Sequence, residues 1–533
     1  MTAMMTAMRT CALALLALGA CGGGGDDAVT PDGGGDAPGP DASTGACTPV
    51  AGAPAERVTT TSGVVRGALV GATWAYQRVP FAAPPVGDLR LRAPAPATCA
   101  ATELDATARG PRCAQLDEAG AFEGVEDCLH LNVWAPAATA APRPVMVWIH
   151  GGGNAAGSAA DPLYDGRRLA GAGDVVVVTI NYRLAQLGFL ADAALATTAG
   201  SVGNYGTLDQ ILALTWVRDN IAAFGGDPGN VTVFGESAGA RNTCTLLATP
   251  ASAGLFHRAI IQSGACKFLD TRAEAQTTAD AVATALGCTG ERAACFRAAT
   301  AEALTRANAQ PVGALSASTY GTVIDGVVLN EQPEAAIRGG RHHAVPIAIG
   351  ANADETGRVA PLAMTEPQYV ALVRAQYGAL ADAVLTQYPA AAFPSPRAAY
   401  VRLTTDARFV CPAREIAAAA AAQGPPVHRY FLTYAPNVFG AVHGLDVPIV
   451  FGTFDAIIAN GQPYQATAAD LALSTAMQGY WTRFARTGDP GGAPAWPRYG
   501  AGDPTLVLDA TITTTSGVRT AACDFWRPYY LAL

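Results

Sequence analysis

The β-branched run Val231-Thr-Val-Phe234 stops in Gly235-Glu-Ser-Ala-Gly239 and passes straight into helix-forming residues, and no other stretch limits the fold so tightly. Strand, sharp turn and helix must follow one another within a few residues. In a turn that tight the central residue is forced into strained backbone angles, and the glycines on either side, Gly235 and Gly239, let strand and helix close around it. Ser237 then stands exposed at the end of a strand, where a nucleophile belongs. A Gly-x-Ser-x-Gly match arises often by chance in a chain with 58 glycines, so its weight comes from the strand before it and the helix after it. A serine hydroxyl is a poor nucleophile at neutral pH. The reading therefore demands a base, an acid to orient that base, and donors for an oxyanion.

Donors are offered by His150-Gly-Gly-Gly153, which follows directly on the apolar run Pro144-Val-Met-Val-Trp-Ile149. Three glycines after a strand leave backbone N–H groups uncovered by side chains. Ala238, next after the serine, supplies a companion N–H. With seven histidines in the chain, the base is found by elimination. His130 lies in a strand-like run, His150 heads the glycine turn, His257 and His428 precede strands, and His342 and His343 share a basic patch. His443, in Ala441-Val-His-Gly-Leu-Asp-Val-Pro448, lies on a glycine-bearing loop late in the chain and is the candidate. The acid should fall between serine and histidine, at a strand's carboxyl end. The strand-like run 345–350 leads into Ala351-Asn-Ala-Asp-Glu-Thr356, where Asp354 and Glu355 are both candidates. A free imidazole gains its proton at roughly pH 6 to 7, so activity should fade as pH drops through that range.

The amino terminus points out of the cytoplasm. Arg9 precedes the apolar run Cys11-Ala-Leu-Ala-Leu-Leu-Ala-Leu18, and Gly19-Ala20-Cys21 follows. That is an export signal too short to span a membrane stably. Leu18-Gly-Ala-Cys21 resembles the bacterial lipobox, whose cysteine is acylated and becomes the new amino terminus. Residues 22–45 are Gly, Asp, Pro, Ala and Ser with almost nothing to bury, a flexible acidic tether. The expected organisation is a signal peptide over 1–20, a tether over 21–46 with lipidated Cys21, and one catalytic domain over 47–533. The expected location is the bacterial cell envelope by a lipid anchor, with a secreted or periplasmic soluble form as the alternative.

Setting aside Cys11 and Cys21, the remaining cysteines are an even set in an exported chain, so disulfides are expected. No Cys-x-x-Cys occurs and the histidines do not cluster with cysteines, which disfavours a metal site. The aspartates of the tether lack the spacing of a calcium loop. A net charge of −9 argues against nucleic acid as a partner. No metal or organic cofactor is expected.

Apolar runs of strand length at 144–149, 174–180, 258–262, 345–350 and 429–433 alternate with helical stretches such as 208–223, 270–310 and 365–387. Strands apolar on both faces belong to the middle of a covered parallel sheet, and the alternation makes it doubly wound. The alternating, glycine-bearing residues 59–81 read as a small antiparallel unit leading into that sheet. The alanine run 417–422 reads as a packed helix.

Several segments together carry a resemblance to the type-B carboxylesterases, the carboxylesterase and cholinesterase branch of the α/β-hydrolases, in a bacterial lipoprotein form. They are Pro80-Phe-Ala-Ala-Pro-Pro-Val-Gly-Asp-Leu-Arg90, Glu126-Asp-Cys-Leu-His-Leu-Asn-Val-Trp134, Asn181-Tyr-Arg183, Gly203-Asn-Tyr-Gly206, Leu208-Asp-Gln210 and 224–239. The resemblance implies an α/β-hydrolase fold: a large, mostly parallel mixed sheet flanked by helices, a small antiparallel N-terminal sheet, and helical insertions forming the pocket. It implies Ser237 as nucleophile, Glu355 as acid, His443 as base, and Gly152, Gly153 and Ala238 as oxyanion donors. It also implies structural ion pairs, Arg90 with Glu126 and Arg183 with Asp209. The disulfides it implies are Cys113–Cys128, Cys288–Cys295 and Cys411–Cys523. For Cys47, Cys99, Cys244 and Cys266 the pairing stays open, with Cys47–Cys99 and Cys244–Cys266 as the working arrangement.

This chain departs from the family at Asn154, where an aromatic usually follows the glycines, and at Thr356, where glycine usually follows the acid. The loop between Cys113 and Cys128 has no tryptophan to hold a quaternary ammonium, which disfavours choline esters. The expected activity is hydrolysis of small-molecule carboxylic esters through an acyl-enzyme. An amidase, or a hydrolase of a particular xenobiotic or toxin ester, would use the same triad. A non-catalytic, cholinesterase-like surface-binding protein is the alternative from another class, and the intact Ser237, Glu355 and His443 argue against it.

Overall fold

The structure is a computed structural model that describes residues 47–138, 142–267, 269–309, 320–459 and 461–532. The signal, Cys21 and the tether through residue 46 lie outside the described residues. Among the described residues the central sheet has eleven strands, numbered here in chain order: β1 (Ala68–Val70), β2 (Thr73–Pro80), β3 (His130–Pro136), β4 (Arg143–Ile149), β5 (Val176–Ile180), β6 (Gly226–Glu236), β7 (Arg258–Gln262), β8 (Ile347–Asn352), β9 (Val427–Leu432), β10 (Pro504–Leu508) and β11 (Thr513–Ser516). Their spatial order is β11-β10-β9-β8-β7-β6-β4-β5-β3-β2-β1. From β5 to β10 every neighbouring pair is parallel, and antiparallel pairs close both ends.

Every residue of β3, β4 and β5 is buried, as expected of strands covered on both faces. Period-two alternation divides them between two cores. Val145, Val147 and Ile149 join Val231, Val233, Ala259, Ile261 and Ile347 against Trp216, Leu246 and Ile416. Met146 and Trp148 point the other way, with Phe234, Ile260 and Ala348 against Trp481, Phe484 and Phe451. The sheet is thus sandwiched, and the carboxyl ends of its parallel strands are free to carry loops.

Residues 59–81 do not form one small sheet. Arg57–Thr60 and Gly63–Arg66 pair antiparallel and are joined by Leu104–Asp105, which lies parallel to the second strand. The later part becomes β1 and β2 and joins the central sheet through β3. The division has a packing cause. Ala75, Tyr76 and Val79 of β2 are almost completely buried, which an isolated hairpin could not achieve.

The Arg183 guanidinium donates to both carboxylate oxygens of the fully buried Asp209, at 2.7 and 2.8 Å, and Arg90 is paired with Glu126. Disulfides join Cys47 to Cys99, Cys113 to Cys128, Cys244 to Cys266, Cys288 to Cys295 and Cys411 to Cys523. Among the described residues no helix is long and apolar enough to cross a membrane, and no three His, Cys, Asp or Glu side chains converge as a metal site would require. Of the helical insertions, Pro396–Thr405 and the π-helical turn Asp406–Val410 reach the carboxyl ends of the strands.

Candidate active site

β6 ends at Glu236, helix Ala238–Ala248 begins two residues later, and Ser237 between them has φ 57° and ψ −118°. A non-glycine residue in that region is strained and must be held there. The holding is done by neighbours. A Cβ at Gly239 would collide with the Ile149 carbonyl at the end of β4, so only glycine allows helix and sheet to meet, and the Ser237 N–H is anchored on the Gln262 carbonyl of β7 at 2.9 Å.

The glycine turn after β4 lies against this elbow. A Cβ at Gly151 would stand 3.1 Å from that of Ser237 and 2.9 Å from Glu236 Oε2. Gly152 and Gly153 both have positive φ, and Ala238 opens the helix. The turn is locked from behind. The His150 ring stacks on Tyr182 with 4.5 Å between centroids, and the Tyr182 hydroxyl lies 2.9 Å from the His150 carbonyl and 3.1 Å from Asn154 Oδ1. Burial lowers the pKa of His150 to about 4, so it stays neutral and keeps its place in the stack.

At the end of β8 the two adjacent carboxylates part company. Glu355 Oε2 lies 2.6 Å from His443 Nδ1, its Oε1 accepts from the Asn352 N–H at 2.7 Å, and its carbonyl accepts from the His443 N–H at 3.1 Å. Asp354 turns toward the Ala441 backbone, exchanging hydrogen bonds of 3.0 and 3.1 Å with it. Thr356 is a packing residue, its hydroxyl 2.6 Å from that of Thr404. Asn154 is buried in a polar cluster, accepting from Asn242 at 2.9 Å and donating to the Tyr320 carbonyl at 3.3 Å.

His443 Nε2 faces the elbow, 3.3 Å from Glu236 Oε1. Ser237 and His443 are not hydrogen-bonded in this structure; such bonds commonly tighten only with substrate in place. Glu236, the variable residue of the Gly-x-Ser-x-Gly pattern, is nearly completely buried. Burial pushes its pKa up to about 8, with Asp446 and Glu355 adding to the effect of burial and His443 opposing it. Burial alone would depress the His443 imidazolium. The Glu236 charge, the Glu355 hydrogen bond and charge, and Asp446 outweigh burial and raise its pKa to about 9. Asp446 is in turn held by Gln262 at 2.7 Å and by the Tyr430 hydroxyl at 3.0 Å, and Trp481 donates to Gln262 at 3.0 Å. Phe409 covers the imidazole, 5.0 Å between centroids.

Glu236, Asp446, Gln262 and Phe409 are site residues that are not among the candidates the sequence offers. Glu236 and Asp446 had a signal, since each sits inside a stretch already singled out, one residue before Ser237 and three after His443. Gln262 and Phe409 had none, because only the fold brings them here.

Comparison with known proteins gives a concordant picture. The model of the carboxylesterase family matches residues 54–526. The chain is 36% identical over 471 residues to the para-nitrobenzyl esterase of Bacillus subtilis (strain 168), covering 86% of this chain and 95% of that protein. It is 38% identical over 463 residues to the fumonisin B1 esterase of Sphingopyxis macrogoltabida, covering 83% and 84%. Among solved structures it superposes on a PNB esterase with a TM-score of 0.78 at 35% identity, covering 88% of this chain and 99% of the other. A thermophilic PNB esterase gives a TM-score of 0.77 at 34% identity with the same coverage.

Proposed function

The chain belongs to the carboxylesterase family and is a carboxylic ester hydrolase, and on that premise we propose that Ser237, His443 and Glu355 carry the reaction. Ser237 Oγ attacks the ester carbonyl carbon while His443 Nε2 takes its proton. Glu355, on Nδ1, holds the tautomer and stabilises the imidazolium. The carbonyl oxygen, now negative, is met by the N–H groups of Gly152, Gly153 and Ala238. Imidazolium returns the proton to the departing alcohol, leaving an acyl-serine. Water then repeats the sequence and releases the acid.

The observation that carries this reading is the 2.6 Å contact between Glu355 and the ring nitrogen of His443 that faces away from the elbow, beside a serine at positive φ. The two relatives are named for different substrates, para-nitrobenzyl esters and fumonisin B1, so the family leaves the ester open. A fluorophosphonate probe should label Ser237 in the intact protein. Ser237→Ala should lose the adduct and about 10⁴-fold or more in kcat with an unchanged melting temperature. Near-normal turnover in that variant removes the mechanism.

The chain is also proposed to be an exported lipoprotein of the bacterial envelope, anchored through Cys21. The apolar run ending in Leu18-Gly-Ala-Cys21 supports this, and the five disulfides of the described residues suit an oxidising compartment.

A further inference from the structure

An oxyanion site built from backbone N–H groups works only if its donors keep a fixed spacing, and here they come from two segments: Gly152 and Gly153 on the turn after β4, and Ala238 on the helix after the elbow. Glycine is the residue least able to hold a conformation by itself, and Gly152 and Gly153 both stand at positive φ. The turn must therefore be fastened on either side of them. Before them, the fastening is the close approach at Gly239, where an added Cβ would collide with the carbonyl oxygens of Ile149 and His150.

After them, the fastening is a pair of side-chain amides. Asn154 follows Gly153 directly, and Asn242 stands one helical turn beyond Ala238 on the same face of the helix Ala238–Ala248. Side chains on a helix lean toward its amino terminus, so the Asn242 amide reaches back over the turn that begins at Ala238. Its Nδ2 donates to Asn154 Oδ1 at 2.9 Å, and Asn154 Nδ2 lies 3.4 Å from Asn242 Oδ1. Asn154 has φ 56°, in the left-handed region that asparagine tolerates better than most side chains, and its carbonyl accepts from the Ala185 N–H at 2.7 Å. Both asparagines are almost completely buried, and a buried amide that loses its partner is left uncompensated. A hydrogen-bonded pair is directional. It therefore fixes distance and angle more closely than packing of an aromatic ring at residue 154 would.

We propose that Asn154 and Asn242 are positioning residues: their amide pair joins the turn bearing Gly152 and Gly153 to the helix bearing Ala238, and so sets the spacing of the oxyanion donors. This rests on the serine esterase reading above. The asparagines act through the backbone donors, so their effect belongs to the step in which negative charge develops on the carbonyl oxygen, and much less to substrate binding.

The test uses 4-nitrophenyl butyrate and melt-checked variants. Asn154→Gly permits the positive φ and removes the amide, and Asn242→Leu keeps the bulk and removes both polar atoms. Each should lower kcat by about 10- to 100-fold while KM changes by less than about threefold. The double variant should cost no more than the worse single one, because each asparagine works through the other. A second readout is 1,1,1-trifluoro-2-hexanone. When Ser237 Oγ bonds to its carbonyl carbon, the π pair moves to the oxygen and the serine proton passes to His443, giving a tetrahedral adduct with the oxygen negative. Its inhibition constant should rise by the factor by which kcat falls, whereas that of 1,1,1-trifluoro-2-hexanol, which forms no adduct, should stay unchanged. If Asn154→Gly does not fold, Asn242→Ser is read in its place, since its hydroxyl falls short of Asn154. Folded variants with wild-type kcat, losses that multiply in the double variant, or a loss confined to KM overturn the proposal. Full activity in Ser237→Ala, or a wild-type protein that the ketone does not inhibit, overturns the esterase reading and this one with it. Inhibition of the wild-type protein beside unchanged kcat in the asparagine variants overturns this one alone.

Discussion

At the residue scale the decisive pair is Asp354 and Glu355. Both sit just past the end of β8, but one side chain faces Ala441 and the other faces His443. Glu355→Gln keeps the shape, favours the wrong imidazole tautomer and removes a charge, so kcat should fall by about 10²- to 10⁴-fold. Asp354→Asn removes a charge from the turn while its amide oxygen can still accept from the Ala441 N–H, so it should cost much less catalysis and act mainly on stability. Measured kcat with thermal melts for both variants decides the assignment: an inactive Asp354→Asn beside an active Glu355→Gln would reverse it. Glu236 governs a different quantity. General-base catalysis needs neutral imidazole, and His443 holds its proton more tightly than a free imidazole does, its pKa raised to about 9. The acid limb of kcat/KM should therefore lie above pH 7, beyond the range of 6 to 7 expected from an isolated imidazole. Glu236→Gln removes an anion that stabilises the imidazolium, so the limb should move to lower pH. The two groups share the titration, and the profile reports the pair. A wild-type limb at or below pH 7, or an upward shift in Glu236→Gln, would contradict this account.

At the scale of elements, the site depends on how the π-helical turn Asp406–Val410 is held. It leads into helix Cys411–Ala421, and Cys411 is bonded to Cys523 in helix Thr520–Ala532, 112 residues on. Closing so long a loop restricts the unfolded chain strongly, so Cys411→Ala with Cys523→Ala should cost about 4 kcal/mol and lower the melting temperature by several degrees. Because Phe409, packed on the His443 ring, lies two residues from this anchor, KM should rise as well. A double variant with the wild-type melting temperature and KM would show that the bond contributes to neither.

At the scale of the whole molecule, Cys47 is tied to Cys99, so the fold is fastened just after the segment proposed to be a tether. Residues 1–46 should then serve location alone. Cys21→Ser should leave the chain unprocessed or released from membranes, whereas a chain of residues 47–533 should keep kcat/KM and melting temperature close to those of the full protein. Intact-mass analysis of the mature protein checks the anchor: an unmodified amino terminus at another residue rejects it.

Much of this molecule is written locally. The run 231–239 determines strand, elbow and helix because β-branched residues, two glycines and a helix-forming sequence each restrict φ and ψ within their own neighbourhood. The apolar runs at 144–149 and 174–180 determine buried strands for the same reason. The glycine turn at 150–153 is legible because a missing side chain is a property of sequence. What only the tertiary structure decided is everything that depends on a neighbour distant in the chain. It divided residues 59–81 between two sheets because β2 found a partner in β3. It turned Glu355 rather than Asp354 toward His443, although both residues meet the same loop, Asp354 at the Ala441 backbone and Glu355 at the imidazole. It set Glu236 beside His443, raising the imidazole's pKa, and packed Phe409 on the imidazole. Proton affinity and charge clustering act through space, with a strength set by burial and by whichever segments the fold brings within a few ångströms. No periodicity in a one-dimensional chain records that distance.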